Sequence, residues 1–163
     1  MKYCLLVLSA LALFASCKKV DTPQSIQEQM RVGTWYIDTS SKTYAILPGQ
    51  YETIPYYIQG EDCKKDDYFI FRDNNDGAIN TAKEKCVEGQ TDEIAIKWGV
   101  TDANTKMYIY NAGSLLNGDD DVNAELLNFN GSSFAIRFKQ YVTSAQPAPS
   151  VDTTTFWVHF KHR

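Results

Sequence analysis

Short stretches in which apolar and polar residues alternate recur along most of the chain. The pattern is clearest in residues 93–98, 106–110, 133–142 and 153–162, where every second side chain is apolar. A period of two residues is that of a β-strand with one buried face. Turn residues separate the stretches, and no helical pattern lies between them. A series of this kind predicts an antiparallel up-and-down meander.

Eight to ten strands are predicted, at residues 33–39, 44–47, 51–59, 68–72, 78–82, 93–98, 106–110, 123–129, 133–142 and 153–162. Asn130-Gly131 is the strongest signal for a two-residue hairpin turn. One short helix is predicted from Ser25 to Arg31, capped by Thr22 or Ser25, with Ile26 and Met30 on one face. A meander of about eight strands removes its free edges by closing on itself. The predicted fold is therefore all-β, a small closed barrel with one short N-terminal helix.

The segment from Cys63 to Cys86 predicts a hairpin with a cysteine at the open end of each arm. Residues 68–72 are aromatic and β-branched, and Asn74-Asn75-Asp76-Gly77 supplies residues that tolerate positive φ in a turn. The alternative fold is a β-sandwich of immunoglobulin type, whose bridge joins two facing sheets around a buried Trp. No Trp lies between these two cysteines. The spacing therefore favours the barrel.

The first residues predict a secretory leader. Lys2 is followed by a mostly apolar run from Leu5 to Ala15, which is shorter than the roughly 20 residues of a spanning helix. The sequence Leu13-Phe14-Ala15-Ser16-Cys17 resembles a lipobox, in which the Cys is acylated and becomes the new N-terminus. An ordinary leader with an incidental Cys17 is the alternative. We expect a signal peptide at 1–16, a lipidated Cys and polar tether at 17–24, and a barrel domain at 25–163.

Cysteine usage agrees with export. Of the four cysteines, Cys4 leaves with the leader and Cys17 takes lipid, so that Cys63 and Cys86 remain. A pair of cysteines in an oxidising envelope predicts a disulfide. A metal interpretation would need further Cys or His residues near them, and the sequence has none there.

Charge and composition indicate which classes of binding partner suit the chain. The net charge is −4, and it becomes −5 once Lys2 is removed. An acidic chain is unsuited to nucleic acid or to anionic lipid surfaces. Membrane attachment is then expected through N-terminal acyl chains, such as palmitate, alone. The 10 Tyr, 8 Phe and 3 Trp suit strands and could also line a pocket for a small hydrophobic ligand.

No motif predicts catalysis, a metal or a cofactor. The acidic stretch ending at Gly77 fails as a calcium loop, because Arg72 and Lys83 occupy the first and twelfth ligand positions. The acidic turn at 117–121 is typical of a solvated loop. His159 and His162 are three residues apart on a strand and so face opposite sides. No Gly-x-Ser-x-Gly elbow is present. We therefore expect a protein that is not an enzyme.

Several of these features together resemble the lipocalin-like lipoproteins of Gram-negative bacterial envelopes. They are the lipobox, Gly33-x-Trp35 after a short helix, Cys63-x-x-Asp66-Asp67 before an aromatic strand, Asp76-Gly77, and Cys86. The resemblance implies a lipocalin-like barrel closed at one end by Gly33 and Trp35. It also implies an Arg packed over the Trp from the last strand, for which Arg163 is the candidate. The implied location is the bacterial envelope, as an outer-membrane lipoprotein facing the periplasm or the cell surface.

Two functions follow. The first is binding of a small apolar or aromatic ligand inside the barrel, with Trp98 near the rim. Alternation predicts the lining side chains as Phe69, Phe71, Ile94, Ile96, Trp98, Met107, Ile109, Phe134, Ile136 and Phe138. The second is a structural or interaction lipoprotein whose barrel is filled by its own side chains. That protein would act through loops or an outer aromatic face that includes Tyr56, Tyr141 and Trp157. The protein partner is not predicted. Small barrel size favours the second function, and aromatic content favours the first.

Overall fold

The computed structural model describes residues 24–55, 62–86, 88–112, 116, 121–143 and 151–163. The predicted leader, Cys17, most of the tether, Tyr56 and the acidic turn at 117–120 lie outside the described residues. The described part contains one α-helix, α1 (Ile26–Met30), two short 3₁₀ turns and nine strands. The strands are β1 (Trp35–Leu47), β2 (Gln50–Pro55), β3 (Tyr68–Phe71), β4 (Asp76–Asn80), β5 (Glu93–Thr101), β6 (Lys106–Tyr110), β7 (Asp121–Leu127), β8 (Ser133–Thr143) and β9 (Val151–His162).

The strands form a closed antiparallel barrel, which confirms the predicted fold class. Each strand from β3 to β9 pairs with the next one in sequence. β1 closes the ring, because it pairs with β9 along one edge and with β3 through Trp35 and Phe69 on the other. β2 pairs with the far end of β1 and is an added strand outside the ring of eight.

The two ends of the barrel differ. The end that carries α1, Trp35 and the C-terminal residues is called the lower end. The short turns β3–β4, β5–β6 and β7–β8 also lie there. The upper end carries the connection between β4 and β5, together with the paired cysteines. At the lower end, Ser25 caps α1 in a capping box with Glu28. Met30 then accepts a 2.8 Å hydrogen bond from Trp35 Nε1 at its carbonyl oxygen, which ties the helix to the barrel.

The core fills the inside of the barrel with side chains from alternate strand positions. Phe134, Ile136 and Phe138 of β8 are buried, while Arg137 and Lys139 are not. The same alternation holds on β9 and β6. All the buried apolar side chains of the barrel belong to one contiguous cluster, apart from two alanines, Ala78 and Ala135. The predicted inward faces are thus confirmed, because a period of two leaves one face per strand to the core.

Three local predictions differ from the structure. The stretches 33–39 and 44–47 are one strand, β1, which continues past an irregularity between Ile37 and Thr39. Asp76 and Gly77 were predicted in a turn but belong to β4; positive φ falls instead on Asn74 and Asn75. The β7–β8 connection is longer than the predicted Asn130-Gly131 turn, because Asn130 Oδ1 accepts hydrogen bonds from the backbone N–H groups of Ser132 and Ser133 and holds a wider loop.

Candidate functional site

The predicted ligand-lining residues come together, but as a packed core. Nine of the ten are at most 4% exposed, and Ile94 is partly buried against them. The ring centroid of Phe71 lies 4.6 Å from that of Trp98 and 6.5 Å from that of Phe134. The Phe134 ring in turn stacks on Phe160 at 4.6 Å. Two cavities are lined by described residues; one contacts only Met107 and Phe138 of this set, and the other contacts none of it.

Trp98 does not lie near a rim, and that prediction is wrong. Its side chain is fully buried, and its Nε1 donates hydrogen bonds to the carbonyl oxygens of Asp76, at 2.7 Å, and Arg72, at 3.2 Å. These carbonyls flank the β3–β4 turn at the lower end. Gly77 makes this possible, because a Cβ there would lie 3.2 Å from the Trp98 ring and 2.7 Å from a backbone oxygen of β3. Trp98 is therefore part of the barrel floor.

Gly33 and Trp35 lie at the lower end with His162. Trp35 is fully buried, and its ring packs edge-on against those of Phe134 and His162. His162 Nε2 lies 2.8 Å from the carbonyl oxygen of Val32. A Cβ on Gly33 would lie 2.9 Å from His162 Cε1 and closer still to Nε2, and Gly33 has a φ of +75°. Both the space and the backbone conformation thus require glycine at this position.

Arg163 does not cover Trp35. Its guanidinium lies over the ring of Tyr36, 4.4 Å from the centroid. The place over Trp35 that the lipocalin resemblance assigns to an arginine is taken by the imidazole of His162. Residues 162 and 163 point to opposite faces of the strand end. The sequence does not show which of the two faces lies over Trp35, so it could not predict which side chain covers the ring.

At the upper end, Cys63 and Cys86 lie at disulfide distance, with sulfur atoms 1.98 Å apart and Cα atoms 5.2 Å apart. The pair spans the open side of the β3–β4 hairpin, as predicted. Asp66 and Asp67 follow the first cysteine. Asp66 accepts a 3.1 Å hydrogen bond from the backbone of Lys83, on the other arm. The hairpin ends are therefore joined twice, by sulfur and by a carboxylate.

Asp67 is the one carboxylate buried among the described residues, with 4% exposure. Its Oδ1 has no hydrogen-bond partner. Burial, and then the neighbouring Asp66 carboxylate, raise the pKa of Asp67 to about 6, while Lys85 and Lys64 act in the opposite direction. A group with this pKa changes charge near neutral pH.

Four buried polar side chains share a position in the fold. Asp67, Thr81, Gln140 and Thr154 each lie two residues above the topmost buried apolar residue of β3, β4, β8 and β9, on the inward side. Gln140 and Thr154 are paired across β8 and β9. The interior thus changes from apolar to polar toward the upper end.

One cavity is a groove on the outer wall, of about 570 Å³. It opens where β7 and β8 separate. Its floor consists of three inward-facing residues, Met107, Ala124 and Phe138. Its sides are mainly outward-facing residues of β6, β7 and β8, which are Lys106, Tyr108, Asn123, Glu125, Arg137, Lys139 and Tyr141, with Thr101 at one end. We call this site the β7–β8 groove.

The sides of the β7–β8 groove are basic, although the chain is acidic. Three cations, Lys106, Arg137 and Lys139, face a single carboxylate, Glu125. Arg137 is ion-paired with Glu125, and Lys106 is paired with Asp102 at 2.6 Å. Lys139 is exposed and has no ion pair within the described part of the chain. The groove therefore presents one uncompensated cation.

A second, smaller cavity of about 330 Å³ lies on the same wall and shares Glu125, Arg137 and Lys139 with the groove. The Arg137 guanidinium lies 5.0 Å from the centre of the Trp157 ring, in a cation–π arrangement. Tyr141, at the upper end of the β7–β8 groove, is 77% exposed. Two of the three aromatic residues predicted for an outer face thus lie around these cavities, while Tyr56 lies outside the described residues.

No protein-family model matches this chain. No curated protein matches its sequence either. The described residues include no group of three or more His, Cys, Asp or Glu side chains arranged to hold a metal ion. Within the same residues, no helix is long and apolar enough to cross a membrane. The site must therefore be interpreted from its own geometry.

The groove was not predicted from the sequence. It depends on the β7–β8 ladder ending at Glu125 and Arg137, although both strands continue toward the upper end beyond these two residues. Alternation shows which face a residue is on, but it does not show where a ladder stops. The signal that was available is the alternation that places Tyr141 on the same outer face as Arg137 and Lys139.

Proposed function

We propose that the protein is a non-enzymatic, lipid-anchored lipoprotein of the bacterial envelope that binds a partner on the outer wall of a filled barrel. The observation that carries this proposal is the packing of the ten predicted lining residues into one core. A barrel of eight strands is just wide enough for its own side chains to fill it. The anchor at Cys17 and the absence of catalysis rest on the sequence.

The β7–β8 groove is the binding site that fits this function. It is within the range of volumes typical of ligand sites, and it combines an apolar floor with cationic and aromatic sides. Lys139 and Tyr141 are exposed beside it. By contrast, an apolar ligand inside the lower barrel would have to displace side chains such as Phe134 and Ile136, which are buried.

Substitution of the core distinguishes the two sites. Ile136→Ala and Trp98→Ala should each lower the unfolding free energy by about 2–5 kcal/mol, since both side chains are fully buried. The control Tyr141→Ala should change it by less than about 0.5 kcal/mol, because that side chain is exposed. Urea denaturation followed by circular dichroism measures all three.

A panel of fatty acids, sterols and aromatic dyes completes this test. We expect none of them to raise the melting temperature of the wild-type protein, because a ligand stabilises only the state that binds it. If Ile136→Ala keeps wild-type stability while a member of the panel stabilises the wild type and not the variant, the interior is a binding cavity. The outer-wall proposal would then be wrong.

A further inference from the structure

The ladder between β7 and β8 stops well before either strand ends. Only Glu125, Leu126 and Leu127 of β7 are paired with β8, opposite Arg137, Ile136 and Ala135. Residues 121–124 of β7 pair with β6 alone, and residues 138–143 of β8 pair with β9 alone. If the ladder continued, Asn123 would face Lys139. These two residues are instead unpaired with each other, and both line the β7–β8 groove.

The direction of the backbone groups follows from two hydrogen bonds. Leu126 N–H donates to Thr105, on the β6 side, and His162 N–H donates to the carbonyl oxygen of Ser132, on the β8 side. Backbone groups of an antiparallel strand alternate between its two neighbours. Even-numbered residues of β8 therefore bond to β9. Lys139, Tyr141 and Thr143 turn their N–H and C=O groups toward the groove.

A strand edge of this kind is a template for another chain. Residues 138–143 span about 20 Å of extended backbone, at roughly 3.4 Å per residue. This matches the usual length of a strand. Proteins commonly recognise extended peptides by adding them to an exposed edge, with main-chain hydrogen bonds giving affinity and neighbouring pockets giving specificity. The floor formed by Met107, Ala124 and Phe138 would accept alternate apolar side chains.

The charge of the groove selects the partner. A lysine on an edge strand normally discourages pairing with other chains. Lys139, however, has no ion pair among the described residues, whereas Arg137 and Lys106 are paired with Glu125 and Asp102, so that the groove presents one uncompensated cation. This arrangement opposes a basic segment and favours an acidic one.

We propose that the β7–β8 groove binds an extended, acidic segment of another protein, which adds to β8 as an edge strand along residues 138–143. This inference rests on the proposed function, since it names the partner of the same site. A strand in this place would bond to the backbone of Lys139 and Tyr141. Its carboxylates would lie near the Lys139 ammonium, and its intervening apolar side chains would contact Phe138.

Hydrogen exchange measured by NMR tests this proposal on the mature protein in detergent. In the free protein, the amides of Lys139 and Tyr141 should exchange quickly, while that of Gln140 should be protected by its bond to β9. The probe is a synthetic acetylated and amidated peptide of seven residues that alternates Glu and Val. It should slow exchange at Lys139 and Tyr141 at least tenfold and leave Gln140 unchanged.

Two further peptides and two variants serve as controls. A peptide with Lys in place of Glu should bind at least tenfold more weakly, and so should a fully N-methylated acidic peptide, which cannot donate to β8. Lys139→Glu should weaken binding of the acidic peptide about tenfold. Lys83→Glu makes the same charge change on an exposed residue remote from the groove and should leave binding unchanged.

Several results would overturn the inference. If the amides of Lys139 and Tyr141 are already protected from exchange in the free monomer, the edge of β8 is not free to pair with a peptide. If they are protected only in a dimer, its occupant is a second copy of this chain. Equal binding of the N-methylated peptide, or no binding of any peptide, would exclude strand addition. Those results leave the proposed outer-wall function standing, since that function fails only if a ligand binds in the core.

Discussion

At the scale of single residues, Gly33 determines how the helix joins the barrel. It has a positive φ in the turn between α1 and β1, and the absence of a side chain leaves room for His162 against Trp35. The neighbouring hydrogen bond between His162 and the carbonyl of Val32 depends on the same close approach. One residue thus allows the helix, the first strand and the last strand to meet.

Gly33→Ala should lower the unfolding free energy by about 3 kcal/mol. About 1–2 kcal/mol comes from the left-handed backbone conformation, and the remainder from displacement of His162. Gly49→Ala is the matched control, because Gly49 also has a positive φ but a Cβ there would meet no atom within 4 Å. It should cost only about 1 kcal/mol. Equal losses in the two variants, measured by urea denaturation, would show that the contact with His162 is unimportant.

Asp67 should make stability depend on pH. Burial raises the pKa of Asp67 from its ordinary value of 3.8 to about 6, so the folded state binds the proton more tightly than the unfolded chain does. The contribution of Asp67 to the unfolding free energy therefore falls as pH rises from about 4 to about 6, and it stays low above that. At low pH the protonated side chain is neutral and resembles Asn.

Asp67→Asn should consequently be more stable than the wild type at pH 7.5, by up to about 3 kcal/mol, and equal to it below pH of about 4. Asp66→Asn is the control. It removes a charge that raises the pKa of Asp67, so the pH dependence should move to lower pH without disappearing. Melting temperatures across this range measure both effects. A destabilised Asp67→Asn at pH 7.5 would mean that attraction to Lys85 outweighs the cost of burial.

At the scale of elements, the β3–β4 hairpin is held at both ends. Trp98 closes the turn end through hydrogen bonds to backbone carbonyls, and Cys63 and Cys86 join the open end. β3 is only four residues long and pairs with β1 at one position. Since a short strand with little pairing opens easily, the cysteine pair stabilises the place where the barrel closes.

Replacing both cysteines, as Cys63→Ser with Cys86→Ser, should lower the unfolding free energy by about 3 kcal/mol, the amount expected for a closed loop of this length. Reduction of the wild type should cause a similar loss, whereas the variant should not respond to reductant. In the native protein both thiols should resist alkylation until reduced. Rapid alkylation without reductant would contradict the pairing.

The elements also show what the sequence could and could not predict. The presence of the strands and the direction of their side chains were predictable, because apolar residues such as Ile136 alternate with polar ones such as Arg137 and one face must be buried. Turn positions were less so. Gly77 was predicted in a turn because glycine favours positive φ, yet it lies in the strand β4. A glycine is needed there because a Cβ would come too close to the Trp98 ring. That requirement comes from a residue 21 positions later and leaves no local signal.

At the scale of the whole molecule, the β7–β8 groove lies outside the packed core of the barrel. The apolar side chains that alternation suggested as a ligand wall are also those that the barrel needs for its core. The same sequence pattern was therefore equally consistent with a ligand-binding interior and with an interior filled by side chains. Only the register, which ends the β7–β8 ladder at Glu125 and Arg137, reveals a site outside the core.

Native mass spectrometry of the protein purified from its own membrane tests this account most directly. We predict the mass of residues 17–163 plus acyl groups, with no bound small molecule; Cys17→Ala should lack the acyl mass. The contradicting result is a stoichiometric apolar molecule that Lys139→Glu retains and Ile136→Ala loses. That pattern would place a ligand inside the barrel rather than on its outer wall.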